Sequence, residues 1–277
     1  MAKSVFFDTQ IITGVSDGTL PATVWATIIG KLSGTYEYCA SFTTFVELIN
    51  ALAEGDEARF DQNRKRLMLL TSPSGCRLLP MPGQFIRNKV FGLPTCRPEY
   101  SPERLQQSWI PIIKAARTKA DLSSGDVVMA SLPRGIDLTF GIDLPVLRRY
   151  MNDGKALWCE ELRLAKEGEK AMPPADLHAK FILRYDVFAS ETEQNIKLCE
   201  RALDAAYCHL ARIHLDCTRG EYRFERNDQD WIDNQQLMYL ADPELTFVTS
   251  DKRLIAKLGK SVDRNRVLEF TEFARAI

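Results

Sequence analysis

Along residues 1–80 and 225–277, short apolar runs alternate with longer stretches whose apolar residues recur every three or four positions. Residues 4–7 (SVFF) are too few for a helix and end at Asp8, which predicts a buried strand presenting Asp8 at its C-terminal end. Thr13 to Gly18 read as a turn-rich stretch. A helix is predicted over about residues 20–32, with Pro21 near its first turn, and a second strand over about 36–42. Thr43 or Thr44 then caps a helix that runs to about Leu52 and ends at Gly55. A further helix covers about 57–70, and CRLLP at 76–80 reads as a third strand. Strands alternating with helices in this way imply a parallel α/β sheet.

From about Pro82 to Pro102 the pattern changes, because Pro82, Gly83, Gly92, Pro94 and Pro98 break any regular element. Residues 102–218 then read as mostly helical, with amphipathic stretches at 102–119, 144–167 and 175–216. The α/β alternation resumes with a helix near 229–241, a strand TFVTS at 246–250, a short helix at 251–258, a strand RVLEF at 266–270 and a terminal helix. The economical organisation is an α/β core formed by 1–95 and 225–277, interrupted by a helical insertion at 96–224. A separate domain at 100–220 is the competing account.

The composition of the 277 residues is that of a globular protein: 45% hydrophobic, 26% charged, net charge -1. This excludes a collagen-like or wholly disordered chain, and also a histone-like protein that binds nucleic acid by bulk charge. Only three histidines are present, so carboxylates are the expected ligands of any metal. The seven cysteines form no Cys-x-x-Cys pair and read as reduced thiols. Cys208, His209, His214 and Cys217 cluster, but in a helical stretch whose spacing fits packing better than zinc. MAKSVFFDTQ lacks the apolar core of a signal peptide and no run reaches spanning length, which predicts a cytoplasmic protein with no membrane partner.

Four acidic residues stand where elements should converge: Asp8 after the first strand, Glu47 in FTTFVELINAL, Asp233 in DQDWIDNQQL and Asp251 after TFVTS. The C-terminal ends of parallel strands share one edge, so Asp8 and Asp251 become neighbours if their strands are close. Asp8 also suits a turn, Glu47 a solvated helix face and Asp251 a helix cap. Asp233 heads a stripe with Leu237 and Leu240, a costly place for a carboxylate that is neither paired nor metal-bound. Asp228 and Asp230 lie close enough to compete for its role.

Together VFFDT, SFTTFVELINAL, the late helix opening at Asp233 and TFVTSD resemble the PIN-domain nucleases in both motif and order. The resemblance covers about 1–80 and 225–277; Asn234, Gln235 and Gln236 stand where small residues often follow the family's Asp. It implies a three-layer α/β/α fold with a central parallel sheet, and a Mg²⁺- or Mn²⁺-dependent endoribonuclease of toxin or RNA-processing type. Asp8 and Asp251 would then be principal ligands, with Glu47 and Asp233 as further ligands. Gathered carboxylates favour a divalent cation, which relieves their repulsion and clamps phosphate oxygens. Thr9, Thr249 and Ser250 are candidates to hold a water or a phosphate oxygen at the metal.

For substrate, residues 57–100 carry a net charge of +5, including Arg64, Arg87 and Lys89, whereas 221–233 carry -3. Phe85 and Phe91 lie among the basic residues and are candidates to stack on bases. Lys252 and Arg253 follow Asp251 and can reach a phosphate. The alternative function is a catalytically inactive nucleic-acid-binding or scaffold protein of the same fold. No Asp-x-Asp follows the first strand, as a haloacid-dehalogenase-like phosphatase would need, and no Gly-x-Gly-x-x-Gly follows any strand. The helical insertion is the expected place for a second copy or a regulatory protein such as an antitoxin.

Overall fold

A computed structural model describes residues 3–54, 56–73, 76–96, 144–224, 227 and 229–277, with 102, 110–111, 113–118 and 121 between them. The expected helix end at Gly55, most of the 102–119 helix, Arg97, Pro98 and Asp228 lie outside the described residues.

Five strands, β1 (Lys3–Phe7), β2 (Tyr36–Ala40), β3 (Arg77–Leu78), β4 (Leu245–Thr249) and β5 (Val267–Glu269), form one sheet in the order β3-β2-β1-β4-β5. Every pairing is parallel. Side chains alternate across it as the strand period requires. Val5 and Phe7 enter the core on one face and Phe6 the core on the other. On β4, Val248 joins the first core, while Leu245 and Phe247 join the second. Phe6 and Phe247 stack with ring centres 4.8 Å apart.

Helices cover both faces, as an all-parallel sheet needs, and the fold is a three-layer α/β/α arrangement. One layer holds α1 (Thr9–Ser16), α2 (Ala22–Thr35), α3 (Phe42–Glu54), α4 (Glu57–Thr71) and the terminal helix, residues 270–276. The turn expected at Thr13 to Gly18 is thus helical as far as Ser16. Asp8 caps α1, and burial of Ile11, Ile12 and Val15 outweighs the weak helix preference of its β-branched residues. At α3 the cap is Ser41, whose Oγ accepts from Thr44 N at 3.0 Å, two or three residues earlier than expected. The break expected at Pro82 is instead the start of α5 (Pro82–Lys89), since proline suits the first helical turn.

The other layer is built from α5 and from residues of the expected insertion. Along the described part of that insertion run α6 (Leu144–Lys166), α7 (Ala175–Ile182), α8 (Glu193–Ala202) and α9 (Asp204–Thr218). Ala179, Ile182, Leu183, Cys199 and Ala206 share one buried cluster with Phe6 and Phe247. The described part of the insertion is therefore continuous with the sheet's own core. The 175–216 stretch is broken at Phe188, a left-handed residue (φ 53°), and at Leu203. α10 (Asp230–Leu237) follows, then α11 (Lys252–Lys257) after β4 and α12 (Phe270–Ala276) after β5. Among the described residues, no helix is long and apolar enough to cross a membrane.

α6 approaches α10 through Gly154, where a Cβ would lie 2.5 Å from the ring of buried Trp231. Gly154→Leu should therefore overpack this contact and cost about 1–3 kcal/mol. Urea denaturation followed by circular dichroism reads the loss; an unchanged midpoint would show that Trp231 has room to move.

Candidate metal and catalytic site

The sheet order reverses beside β1, and the crevice outside the β1 and β4 C-termini is where such sheets place ligands. Asp8 leaves β1 with extended backbone and accepts from Gln10 N as the cap of α1. Its N–H donates to Val248 O at 2.9 Å, continuing the strand pairing. Its Oδ2 accepts from Thr249 Oγ1 at 2.6 Å, and Thr249 Oγ1 in turn accepts from Asp251 N at 3.0 Å. Asp251 caps α11, accepting from Arg253 N at 2.7 Å and Leu254 N at 3.2 Å. Glu47 projects from α3, and its Oε2 accepts from Thr9 Oγ1 at 2.6 Å. Asp233 stands in the first turn of α10. Asp8, Glu47 and Asp233 line one open cavity of about 270 Å³ with Thr9, Gln10 and Ile232.

Electrostatics agree with this placement. Burial pushes the Asp8 carboxyl up, against the hydrogen bond from Thr249, and Asp251 pushes the same way. Burial, then the charges of Asp8, Asp230 and Asp251, hold Asp233 well above the ordinary carboxylate range. Asp251 does not line the cavity, yet it acts on both residues.

Beside Asp233 lies a polar group formed with Asp230, its competitor for the ligand role, and with His209, which was not a candidate for catalysis. His209, Asp230 and Asp233, all buried, bring one donor atom each within 4.8 Å of one another, and such a group could hold a metal ion. Among the described residues, His209 Nε2 and Asp230 Oδ2 have no hydrogen-bond partner. Lys257, from the end of α11, donates to Asp230 Oδ1. Burial, with Lys257 nearby, drives the His209 pKa well below its usual value, so the ring is neutral. Sequence reasoning passed over His209 because it reads as packing in α9. The signal was its position on the buried stripe Ala205, Ala206, His209, Ile213, Cys217. The zinc cluster weighed for that stretch does not assemble: His214 Nε2 faces Lys170 O at 3.2 Å and Cys217 joins a small apolar core with Leu162 and Ile213.

The expected substrate contacts fare differently. Thr9 and Thr249 orient carboxylates, because each hydroxyl proton is committed to one. Ser250 Oγ bonds Gln10 Oε1 at 3.3 Å. Arg253 stays at the rim, well exposed, with Nη2 3.6 Å from Asp251 Oδ2, and Lys252 is exposed beside it. Arg64 pairs with Asp61 and Lys89 with Asp242, while Arg87 is spent on the carbonyls of Pro94, Val187 and Phe188. The +5 stretch is thus largely neutralised or structural: Lys65, Arg66 and Arg77 also have carboxylate partners. Phe85 is buried in the second core and cannot stack on a base; Phe91 packs against the same core.

Asp8 and Asp233 hold protons in the folded protein at pH values where the unfolded chain has released them. Without metal, stability should therefore fall as pH rises from about 4 towards their raised values. Asp233→Asn should raise Tm in EDTA at pH 8, by about 2–4 °C for each kcal/mol removed, and flatten the dependence of Tm on pH. Scanning calorimetry from pH 5 to 8 checks both; a lower Tm at every pH would mean that the carboxylate is held by partners rather than strained by neighbours. No protein-family model, no curated protein and no solved structure matches this chain.

Proposed function

We propose that the chain is a metal-dependent nuclease of PIN-like type, hydrolysing phosphodiester bonds in RNA. The observation that carries this reading is the cavity at the β1/β4 crevice, where buried Asp8 and Asp233 and half-buried Glu47 converge from three separate elements. Asp251 adds a fourth charge from the end of β4. The donor set is oxygen only, which suits Mg²⁺ or Mn²⁺. A bound divalent ion would supply charge compensation for the phosphate and acidify an attacking water.

The chain's own residues do the rest. Thr249 fixes Asp8 Oδ2, and Thr9 fixes Glu47 Oε2, so each carboxylate presents a defined orientation before substrate arrives. Gln10 and Ser250 lie along the β1/β4 edge and offer neutral polar contacts to a backbone. Arg253 is the cation placed to meet a phosphate at the rim. The choice of RNA as substrate rests on the resemblance of VFFDT, SFTTFVELINAL and TFVTSD to the PIN-domain nucleases.

The test incubates purified protein with end-labelled RNA and DNA of one sequence, in Mg²⁺, Mn²⁺ or EDTA. RNA should be cut with either metal and not in EDTA. Asp8→Asn should slow cleavage by about 100-fold or more, at least the loss seen when one transition-state donor is removed. Cleavage that survives both EDTA and Asp8→Asn would overturn the mechanism. Tight RNA binding without cleavage would favour the inactive scaffold.

A further inference from the structure

Among the described residues, the acidic edge holds a basic side chain inside the protein, Lys257, that has no part in binding metal or substrate as proposed. Lys257 is 16% exposed and donates to Asp230 Oδ1, which is itself 7% exposed. Its charge adds to burial in keeping His209 neutral, and at Asp233 it opposes the burial and neighbouring acids that hold the carboxyl protonated. The ammonium therefore sits beside the same buried group, His209, Asp230 and Asp233, whose donors could hold a metal ion.

We propose that Lys257 is the resident second cation of this site: on Asp230 it takes the place of a second divalent ion, so the acidic edge binds one metal ion instead of two.

Three observations support this. First, two-metal phosphodiesterases bridge paired ions with carboxylates, and Asp233 is positioned as such a bridge, lining the Asp8 cavity and closing the His209 group. Second, one oxygen of Asp230 is already taken by Lys257, and a divalent ion placed there would face an ammonium. Third, the histidine is turned the wrong way for a ligand. Asn234 Nδ2 is anchored on Ala206 O at 2.7 Å and faces His209 Nδ1 at 3.4 Å, which makes Nδ1 the acceptor and leaves the proton on Nε2. Nε2 lies 4.0 Å from Asp230 Oδ1, too far for a hydrogen bond. The group thus has the donor set of a metal site, but its charge is met by a lysine and its imidazole presents a proton. Asp230 is kept as the counter-ion of Lys257, and Asp233 is the ligand.

The proposal rests on the metal-binding reading of Asp8, Glu47, Asp233 and Asp251, and counting bound Mn²⁺ separates the two. Equilibrium dialysis, with free Mn²⁺ read by its paramagnetic resonance signal, should give one ion per wild-type chain and none in Asp8→Asn. Lys257→Met should bind two ions, the second held by the oxygens of Asp230 and Asp233 and not by His209, and Lys257→Arg should return the count to one. Asp230→Asn should keep a single ion, because Asp230 is not a ligand. The dependence of any cleavage rate on Mn²⁺ should rise from first order in wild type towards second order in Lys257→Met, a change that a merely structural lysine would not produce. Two ions in wild type would overturn this inference and leave the metal reading standing. No ion in wild type would overturn both. One ion in both wild type and folded Lys257→Met would show that Lys257 takes no ion's place. If Lys257→Met does not fold, Lys257→Gln, which keeps a polar group on Asp230 without the charge, is counted in its place: two ions support the proposal and one overturns it.

Discussion

Pairing of β1 with β4 is the interaction on which the rest of the structure depends. These two apolar runs, far apart in the chain, occupy the middle of the sheet and must be in register to within one residue. Ser4 through Phe7 pair with Leu245 through Val248, and this one register produces both the stacked Phe6 and Phe247 and the hydrogen bond from Thr249 to Asp8. A slip of one position would send every side chain of β4 to the opposite face. It would bury Val248 where Phe247 now lies and carry Thr249 away from Asp8. Core packing and carboxylate placement therefore rest on the same alignment.

Once β1 and β4 are joined, their ends gather negative charge into a crevice that burial makes less tolerant of it. The protein meets this partly with hydrogen bonds, from Thr249, Thr9 and the first turns of two helices, and partly with Lys257. These partners still leave Asp8 and Asp233 raised. A group of strained acids in an otherwise well-packed molecule is the kind of local conflict that folding alone would not retain.

Much of this was legible in the chain because the relevant signals are local. Four- or five-residue apolar runs bounded by turn residues mark β1, β4 and β5 to within a residue or two, and the acids at their ends follow directly. Asp233 was legible by helical spacing, whereas the spacing of Glu47 suited a solvated face and only the motif SFTTFVELINAL marked it. What stayed hidden depends on contacts between distant segments. α1 forms because its apolar side meets the core, and Ser41 rather than Thr43 or Thr44 caps α3. The basic residues of 57–97 looked like a surface for nucleic acid because charge was summed along the sequence. In space, Arg66 meets Asp17, Arg77 meets Glu37 and Lys89 meets Asp242, partners that no local window contains. His209 and Lys257 were missed for the same reason: each matters only through Asp230, which lies on another helix.

The strand order also sets a timetable for synthesis. β1 is made shortly before β2 and can pair with it at once, but its other neighbour, β4, exists only after residue 249 has been added. Until then the middle of the sheet has one open side, Asp8 lacks its hydroxyl donor, and Asp233, Asp251 and Lys257 have no common crevice to enter. Helices α7 to α9, already made, must wait for Phe247 before their shared core with Phe6 can close. The acidic centre therefore cannot assemble until β4 has followed β1, β2 and the intervening helices off the ribosome.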